Sequence, residues 1–177
     1  MLNFLHNFWF IQCIGVLAMI FSVLSWNSSN RRKILELQSI NAFLFIIHYA
    51  LLDAFSGSLM STIILMRNFV FLKKDESKWA NQKYWLYIFI FVSLIGLLFS
   101  WRGLVTILPA GAVIIATYGF YQEKPYKIRL YLLAASILWI PYTIVVHSYS
   151  GIIINVVSAL GILSGMYRLD RKKVDLI

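Results

Sequence analysis

Residues 84–121 read YWLYIFIFVSLIGLLFSWRGLVTILPAGAVIIATYGFY, an apolar stretch interrupted only at Trp101-Arg102-Gly103. A helix rises 1.5 Å per residue, so about 20 residues cross the roughly 30 Å of a bilayer's hydrocarbon. The stretch is too long for one crossing and suits two if the chain reverses at the Arg-Gly break. Arginine is costly in mid-membrane and comfortable at an interface, and glycine supplies the backbone freedom of a tight turn. The spacing therefore predicts two helices, 84–101 and 103–121, joined at one face of a membrane.

Working outward, the runs 8–26, 34–54 and 57–72 precede this pair, and 127–147 and 150–168 follow it, giving seven apolar segments. The 177 residues are 60% hydrophobic and 13% charged, with a mean hydropathy of +0.77. A soluble domain of this size cannot hide that much apolar surface in one core. In lipid the backbone must satisfy itself, which leaves helices or closed barrels. Barrel strands alternate apolar and polar residues in segments of about ten, whereas these runs are continuous. The fold class expected is an all-α integral membrane protein with seven transmembrane helices. Cys13 stands alone, so no intramolecular disulfide forms, and Met1–Asn7 lacks the basic residues of a secretory signal. The first run is expected to stay in the mature protein.

Charge sets the expected orientation. Arg31, Arg32 and Lys33 lie in the first loop, Lys73, Lys74, Lys78 and Lys83 in the third, and Lys124, Lys127 and Arg129 in the fifth. Arg168, Arg171, Lys172 and Lys173 lie in the tail. Fourteen of the sixteen basic residues thus share one face; Arg102 lies opposite and Arg67 within a span. By the positive-inside rule that face is cytoplasmic, with Met1 outside and Ile177 inside. Loop placement also accounts for the net charge of +9 through topology and anionic lipid headgroups, with no nucleic-acid partner needed. Trp9, Trp26, Trp79, Trp85 and Trp101 fall near span ends, as interfacial aromatics do.

Ile47-His48-Tyr49 matches Ile140-Pro141-Tyr142, and Ser56-Gly57 matches Ser150-Gly151, at offsets of 93 and 94 residues. An odd number of spans separates the copies, so both run in the same direction. The expected arrangement is a 3+1+3 parallel repeat. A first three-helix bundle covers 8–72, a linker helix 84–101, a second bundle 103–168, and a cytoplasmic tail 169–177. Parallel repeats are a transporter plan, with substrate held near the midplane between the halves.

This architecture resembles the SWEET, SemiSWEET and PQ-loop (MtN3-like) group, which includes the PnuC vitamin transporters. Within it the chain most resembles the YgjV-type bacterial inner membrane proteins. Leu108-Pro109, the basic stretch through Arg129, Trp139 followed by Ser150-Gly151, and Arg67 carry the resemblance. It implies a multi-pass protein of a bacterial inner membrane. Pro109 is followed by Ala110, so the Pro-Gln dipeptide is missing and sugar specificity is not carried over.

Polar residues within spans are functional candidates. Asn41 and His48 are seven apart on one face of the second span. Asn155 matches Ser61 by the repeat, and the resemblance, in which sugar transporters place asparagines on these helices around the substrate, implies that it is the strongest candidate for solute binding. Trp139 and Tyr142 flank Pro141, where an aromatic could stack on a ring-shaped solute. Substrate binding is accordingly assigned to Asn155, Trp139, Tyr142, His48 and Asn41, with Gln12 and Tyr118 as weaker lining positions. Arg67 lies near the depth of Glu36, and the two are expected to form a gating ion pair or an anion anchor, with snorkelling of Arg67 to the headgroups as the alternative. Pro109 and Pro141 are expected hinges, with Gly111 allowing close packing. His6, His48 and His147 lie at unmatched depths, so no haem pair is expected, and no cofactor or metal site either. Absent mid-membrane carboxylate pairs, a Ser/His dyad, HExxH or a phosphate loop, an enzyme is not expected. The expected function is a small-solute carrier, facilitative or ion-coupled, for a sugar, nucleoside or vitamin-like molecule. The alternative is a membrane scaffold or regulatory protein without a transport path. Association into a homo-oligomer stays open.

Overall fold

Gly103 takes φ +101° and ψ −178°, a conformation that essentially only glycine adopts, and the chain reverses around it. A computed structural model describes residues 8–28 and 30–170, without the side chains of Pro125, Leu169 and Asp170. The expectations for Met1, His6, Arg171, Lys172, Lys173 and Ile177 lie outside the described residues. The helices are α1 (Phe8–Trp26), α2 (Arg31–Leu51), α3 (Phe55–Leu72), α4 (Tyr84–Phe99), α5 (Ile107–Tyr121), α6 (Pro125–Val145) and α7 (Tyr149–Gly165). A 3-10 turn, Leu104–Thr106, leads into α5, and a π segment, Met166–Asp170, follows α7. Six segments are long and apolar enough to cross a membrane; α4, with 16 residues, is a shorter apolar helix. No strand occurs among the described residues.

Local chemistry moves two helix starts. Asn30 adopts an extended backbone and its side chain accepts from Arg32 N at 2.9 Å, capping α2 at Arg31 rather than at 34. The helix after the Gly103 turn begins at Ile107, so Pro109 falls in its first turn, where a proline forfeits no helical hydrogen bond. Pro109 therefore starts a helix and does not bend the middle of one. Helix α6 continues through Pro141 to Val145.

The turns segregate by charge. Arg31 of α2 bonds Asp75 at 3.1 Å and reaches the carbonyls of Phe71 and Phe120. Lys74 donates to Tyr121 O at 3.2 Å and lies over that residue's ring. Burial, then the nearby Arg31 cation, pushes the Lys74 ammonium below its usual range. These contacts gather the α1–α2, α3–α4 and α5–α6 turns at one basic end. At the opposite end Arg102 donates to Asp53 O, tying the α4–α5 turn to the α2–α3 turn.

Two of the opposite-end turns are the same turn. Asp53 and His147 both take left-handed backbone, φ +53° and φ +54°. Ala54 N bonds Tyr49 O at 2.9 Å, and Ser148 N bonds Thr143 O at 2.9 Å. Leu52 N bonds His48 O, and Val146 N bonds Tyr142 O. The register is therefore 94 residues into the helices as well, pairing His48 with Tyr142. The offset of 93 expected there was one residue out.

In the ring of helices α1 packs on α2, α2 on α3, α3 on α5, α5 on α6, α6 on α7, and α7 back on α1. Helix α4 packs outside, against α3 and α5. Exchanging α1 with α5, α2 with α6 and α3 with α7 returns the same six contacts. Large apolar side chains such as Ile20, Phe91, Leu98, Ile153 and Leu160 cover the outer surface, as a lipid solvent requires. The α1–α7 seam is tight at Gly15, where an added Cβ would lie 2.0 Å from Ser150 Oγ and 2.7 Å from Ser150 Cβ.

Two alanine substitutions test this packing by different physics. At Gly103 nothing lies within 4 Å of an added Cβ, so Gly103→Ala costs backbone strain alone, about 1–3 kcal/mol. Gly15→Ala overpacks the seam and costs about 1–3 kcal/mol. Thermal unfolding in detergent should show both variants melting below the wild type. A Gly15→Ala protein that melts like the wild type would contradict the α1–α7 seam.

Candidate functional site

Gln38, Asn41, Phe45 and Tyr49 recur at intervals of three and four residues, so they share one face of α2. That face looks into the ring. Leu132, Ala135, Ser136 and Trp139 do the same from α6, Ser61, Ile64 and Arg67 from α3, and Ile154, Asn155 and Ser158 from α7. With Ser22, Trp26 and Ala42 from the first helices and Ala116 and Phe120 from α5, they line a cavity of about 100 Å³. All six ring helices contribute to its wall and α4 contributes none. The space holds several waters or a small solute.

The wall repeats in the register of the turns. At a constant offset of 94, Ser22 matches Ala116, Trp26 matches Phe120, Gln38 matches Leu132 and Asn41 matches Ala135. Ala42 likewise matches Ser136, Phe45 matches Trp139, Ser61 matches Asn155 and Ile64 matches Ser158. Every one of these residues lines the cavity. The chemistry is unequal, however: Gln38, Asn41 and Arg67 come from the first half, while Asn155 is the one amide of the second.

Hydrogen bonds fix the polar wall. Asn41 Nδ2 donates to Ala18 O at 2.9 Å, Asn155 Nδ2 to Gly151 O at 2.7 Å, and Gln38 Nε2 to Ser25 Oγ at 2.7 Å. Each amide thus has an N–H committed to the scaffold and retains its carbonyl oxygen as an acceptor. Trp26 Nε1 donates to Ser158 Oγ at 3.0 Å, joining α1 to α7. Towards the end opposite the basic one, Tyr49 stacks on Trp139 (5.8 Å, 9° between planes) and on Phe45 (5.3 Å, 25°).

Beyond that stack the interior is closed. His48 Nδ1 lies 2.9 Å from Ile11 O and Nε2 lies 2.8 Å from Ser148 Oγ. A carbonyl only accepts, so Nδ1 carries the proton and Nε2 accepts from the serine. Gln12 Oε1 accepts from the backbone and hydroxyl of Ser150 at 3.0 and 2.9 Å. On the other half Tyr142 Oη meets Ser56 Oγ at 2.9 Å.

Arg67 is 1% exposed. Its Nε and Nη2 both donate to Asn68 Oδ1, at 3.2 and 2.8 Å, and Nη1 donates to Thr117 Oγ1 at 3.1 Å. The Phe120 ring lies 4.6 Å from the guanidinium carbon.

Of the residues expected at a binding site, Asn41, Trp139 and Asn155 line the cavity, and so does Arg67, expected in a gating ion pair or as an anion anchor. His48 and Tyr142 do not. Seven residues beyond Asn41 is about 10 Å further along α2, where the helices close together and His48 is fully satisfied by α1 and the α6–α7 turn. Glu36 does not meet Arg67: it is exposed and pairs with Arg32 at 3.1 Å, while Arg32 also pairs with Glu76. Nor does Arg67 snorkel, since it is buried inside the ring. Gln12 belongs to the closed network, and Tyr118 is half-exposed against Tyr131. Trp26, read as an interfacial aromatic, is 7% exposed and part of the wall. Its position near a span end concealed it, and its match to Phe120 at the 94-residue offset was the available signal.

No curated protein and no solved structure matches the chain. A family model, Imp-YgjV, described as bacterial inner membrane protein, matches residues 9–173. That match covers nearly the whole sequence and agrees with a helical chain carrying several membrane-spanning segments. The chain belongs to the Imp-YgjV family of bacterial inner membrane proteins and is a multi-pass protein of that membrane.

Proposed function

We propose that this protein is a small-solute carrier working by alternating access, in which α1–α3 rock against α5–α7. The observation that carries the reading is a cavity walled by all six ring helices, largely apolar but set with amides, hydroxyls and one guanidinium, with residues recurring at one offset of 94. The recurring turns and exchangeable helix contacts support a 3+1+3 parallel repeat, with α4 as the linker and seventh crossing. The likeness to the SWEET, PQ-loop and PnuC architecture belongs to the same reading. Carriers of this plan hold substrate where the halves meet.

Several bonds bridge the halves and would have to break and re-form. Tyr49 on Trp139 and His48 to Ser148 close one side of the cavity; Trp26 to Ser158 and Arg31 to Phe120 O cross nearer the basic end. Pro141, within α6, is the remaining hinge candidate. A cavity of about 100 Å³ is smaller than the roughly 300 Å³ at which ordinary ligand pockets begin. A sugar, nucleoside or vitamin requires the halves to part further, whereas a smaller solute fits the space as it stands. Transport is facilitative or ion-coupled. The basic end is assigned to the cytoplasm, where anionic headgroups meet the loop lysines and arginines.

Two experiments test these assignments. Cys13 is the chain's one cysteine, so a Cys13→Ser background reports single replacements cleanly. A membrane-impermeant maleimide added to spheroplasts should label Arg102→Cys and should label Lys78→Cys only after permeabilisation. The reverse pattern would invert the topology. Among solutes screened by uptake into proteoliposomes, any that is transported should bind about tenfold more weakly to Asn155→Ala, the loss expected of one hydrogen bond. Unchanged affinity would remove Asn155 from the site and leave the carrier standing.

A further inference from the structure

The cavity wall carries one formal charge, and nothing in the described structure neutralises it. Arg67 is buried, and among the described residues no carboxylate pairs with it. Asp75 is taken by Arg31, Glu36 and Glu76 by Arg32, and Glu123 lies near Lys74, all at the basic end. Asp53 occupies a turn at the opposite end. The groups that do touch the guanidinium are an amide oxygen, a hydroxyl and an aromatic face. They orient a cation without cancelling it.

Holding it there has a visible cost. Asn68 Oδ1 is committed to two guanidinium nitrogens, and Asn68 Nδ2 is left buried with no partner. A buried charge in a membrane is expensive unless something of opposite sign meets it. A guanidinium has five N–H donors; the three contacts given above leave two of them unspent. An oxyanion that accepts those two N–H groups would complete the site.

The geometry points to a small monocarboxylate as the ligand of this cavity, its carboxylate on Arg67. This rests on the reading of the cavity as a solute site. Among the described residues no second cation lines the wall, so one negative charge brings the loaded site to neutrality and a dianion overshoots it. The volume favours a molecule of a few heavy atoms. Ser61 and Asn155 can meet a hydroxyl on its body, and Phe45 and Trp139 can meet an apolar part.

The test uses the purified full-length protein in detergent, with thermal shift and equilibrium binding for three sets of probes. Acetate, lactate and pyruvate are the monocarboxylates, succinate, sulfate and inorganic phosphate the multivalent anions, and glucose and uridine the neutral solutes. The expected result is saturable stabilisation by at least one monocarboxylate, weakened roughly 10- to 100-fold in Arg67→Gln, the loss expected of charged hydrogen bonds. If Arg67→Gln does not fold, Arg67→Lys takes its place. It keeps the charge, loses the planar fork, and should bind the same monocarboxylate several-fold more weakly. No stabilisation by any monocarboxylate would overturn the proposal, as would equal affinity in the substituted protein. Tighter binding of phosphate, sulfate or succinate would overturn the monovalent assignment. A neutral solute that binds wild type and variant alike, with no anion bound, would overturn the anion site and leave the carrier reading intact. Monocarboxylate binding that depends on Arg67 without uptake into proteoliposomes would establish the site and remove the carrier reading instead.

Discussion

Hydrocarbon offers no hydrogen bonds, so each polar side chain within this protein's spans must find its partner inside the ring of helices. That constraint organises the interior. His48 joins α2 to α1 and to the α6–α7 turn, Trp26 joins α1 to α7, and Arg67 joins α3 to α5. Individual interhelical bonds in membranes are modest, about 0.6–2 kcal/mol each. Their effect here is selective rather than large. They fix which helices are neighbours, because apolar contacts alone do not distinguish a helix from lipid. The six-helix ring and its central space follow from where these few polar groups lie along the chain.

Much of this is legible in the amino-acid sequence. The Arg102-Gly103 break, the seven apolar helices and the clustering of basic loop residues at one end each rest on local chemistry or on length, and all three survive into the fold, although α4 is shorter than the six helices long enough to cross a membrane. What sequence left unresolved was azimuth. Glu36 and Arg67 lie at similar depth, and depth alone made them a pair. Yet once Asn41 is placed inside, the helical period puts Glu36, five residues earlier, about 140° away on α2. The two expectations were incompatible, and packing chose Asn41. The register error had a different cause. Tyr49 was aligned with Tyr142 because the residues are identical, whereas backbone hydrogen bonds align Tyr142 with His48, which performs the same stitching role with different chemistry. Asn30 shows a third kind of loss. Its capping of α2 was available from residue type, but the basic run after it read as a loop.

The two halves agree in shape and differ in what they present. Phe45 opposite Trp139 and Trp26 opposite Phe120 keep aromatic bulk at matching heights, while Gln38 and Asn41 face Leu132 and Ala135 across the cavity. The largest departure is at Arg67, whose counterpart 94 residues on is Gly161. An added Cβ at Gly161 would meet Trp26 Cδ1 at 3.8 Å, so that position looks toward the same aromatic level that Phe120 supplies beneath Arg67. A second guanidinium there would set two like charges in one small low-dielectric space, where repulsion is strong. Glycine instead leaves Arg67 the single formal charge among the described wall residues. Residues at a constant offset of 94 build the cavity wall from α1–α3 and α5–α7 alike, and the departure from that match at Arg67 sets the charge of the described wall.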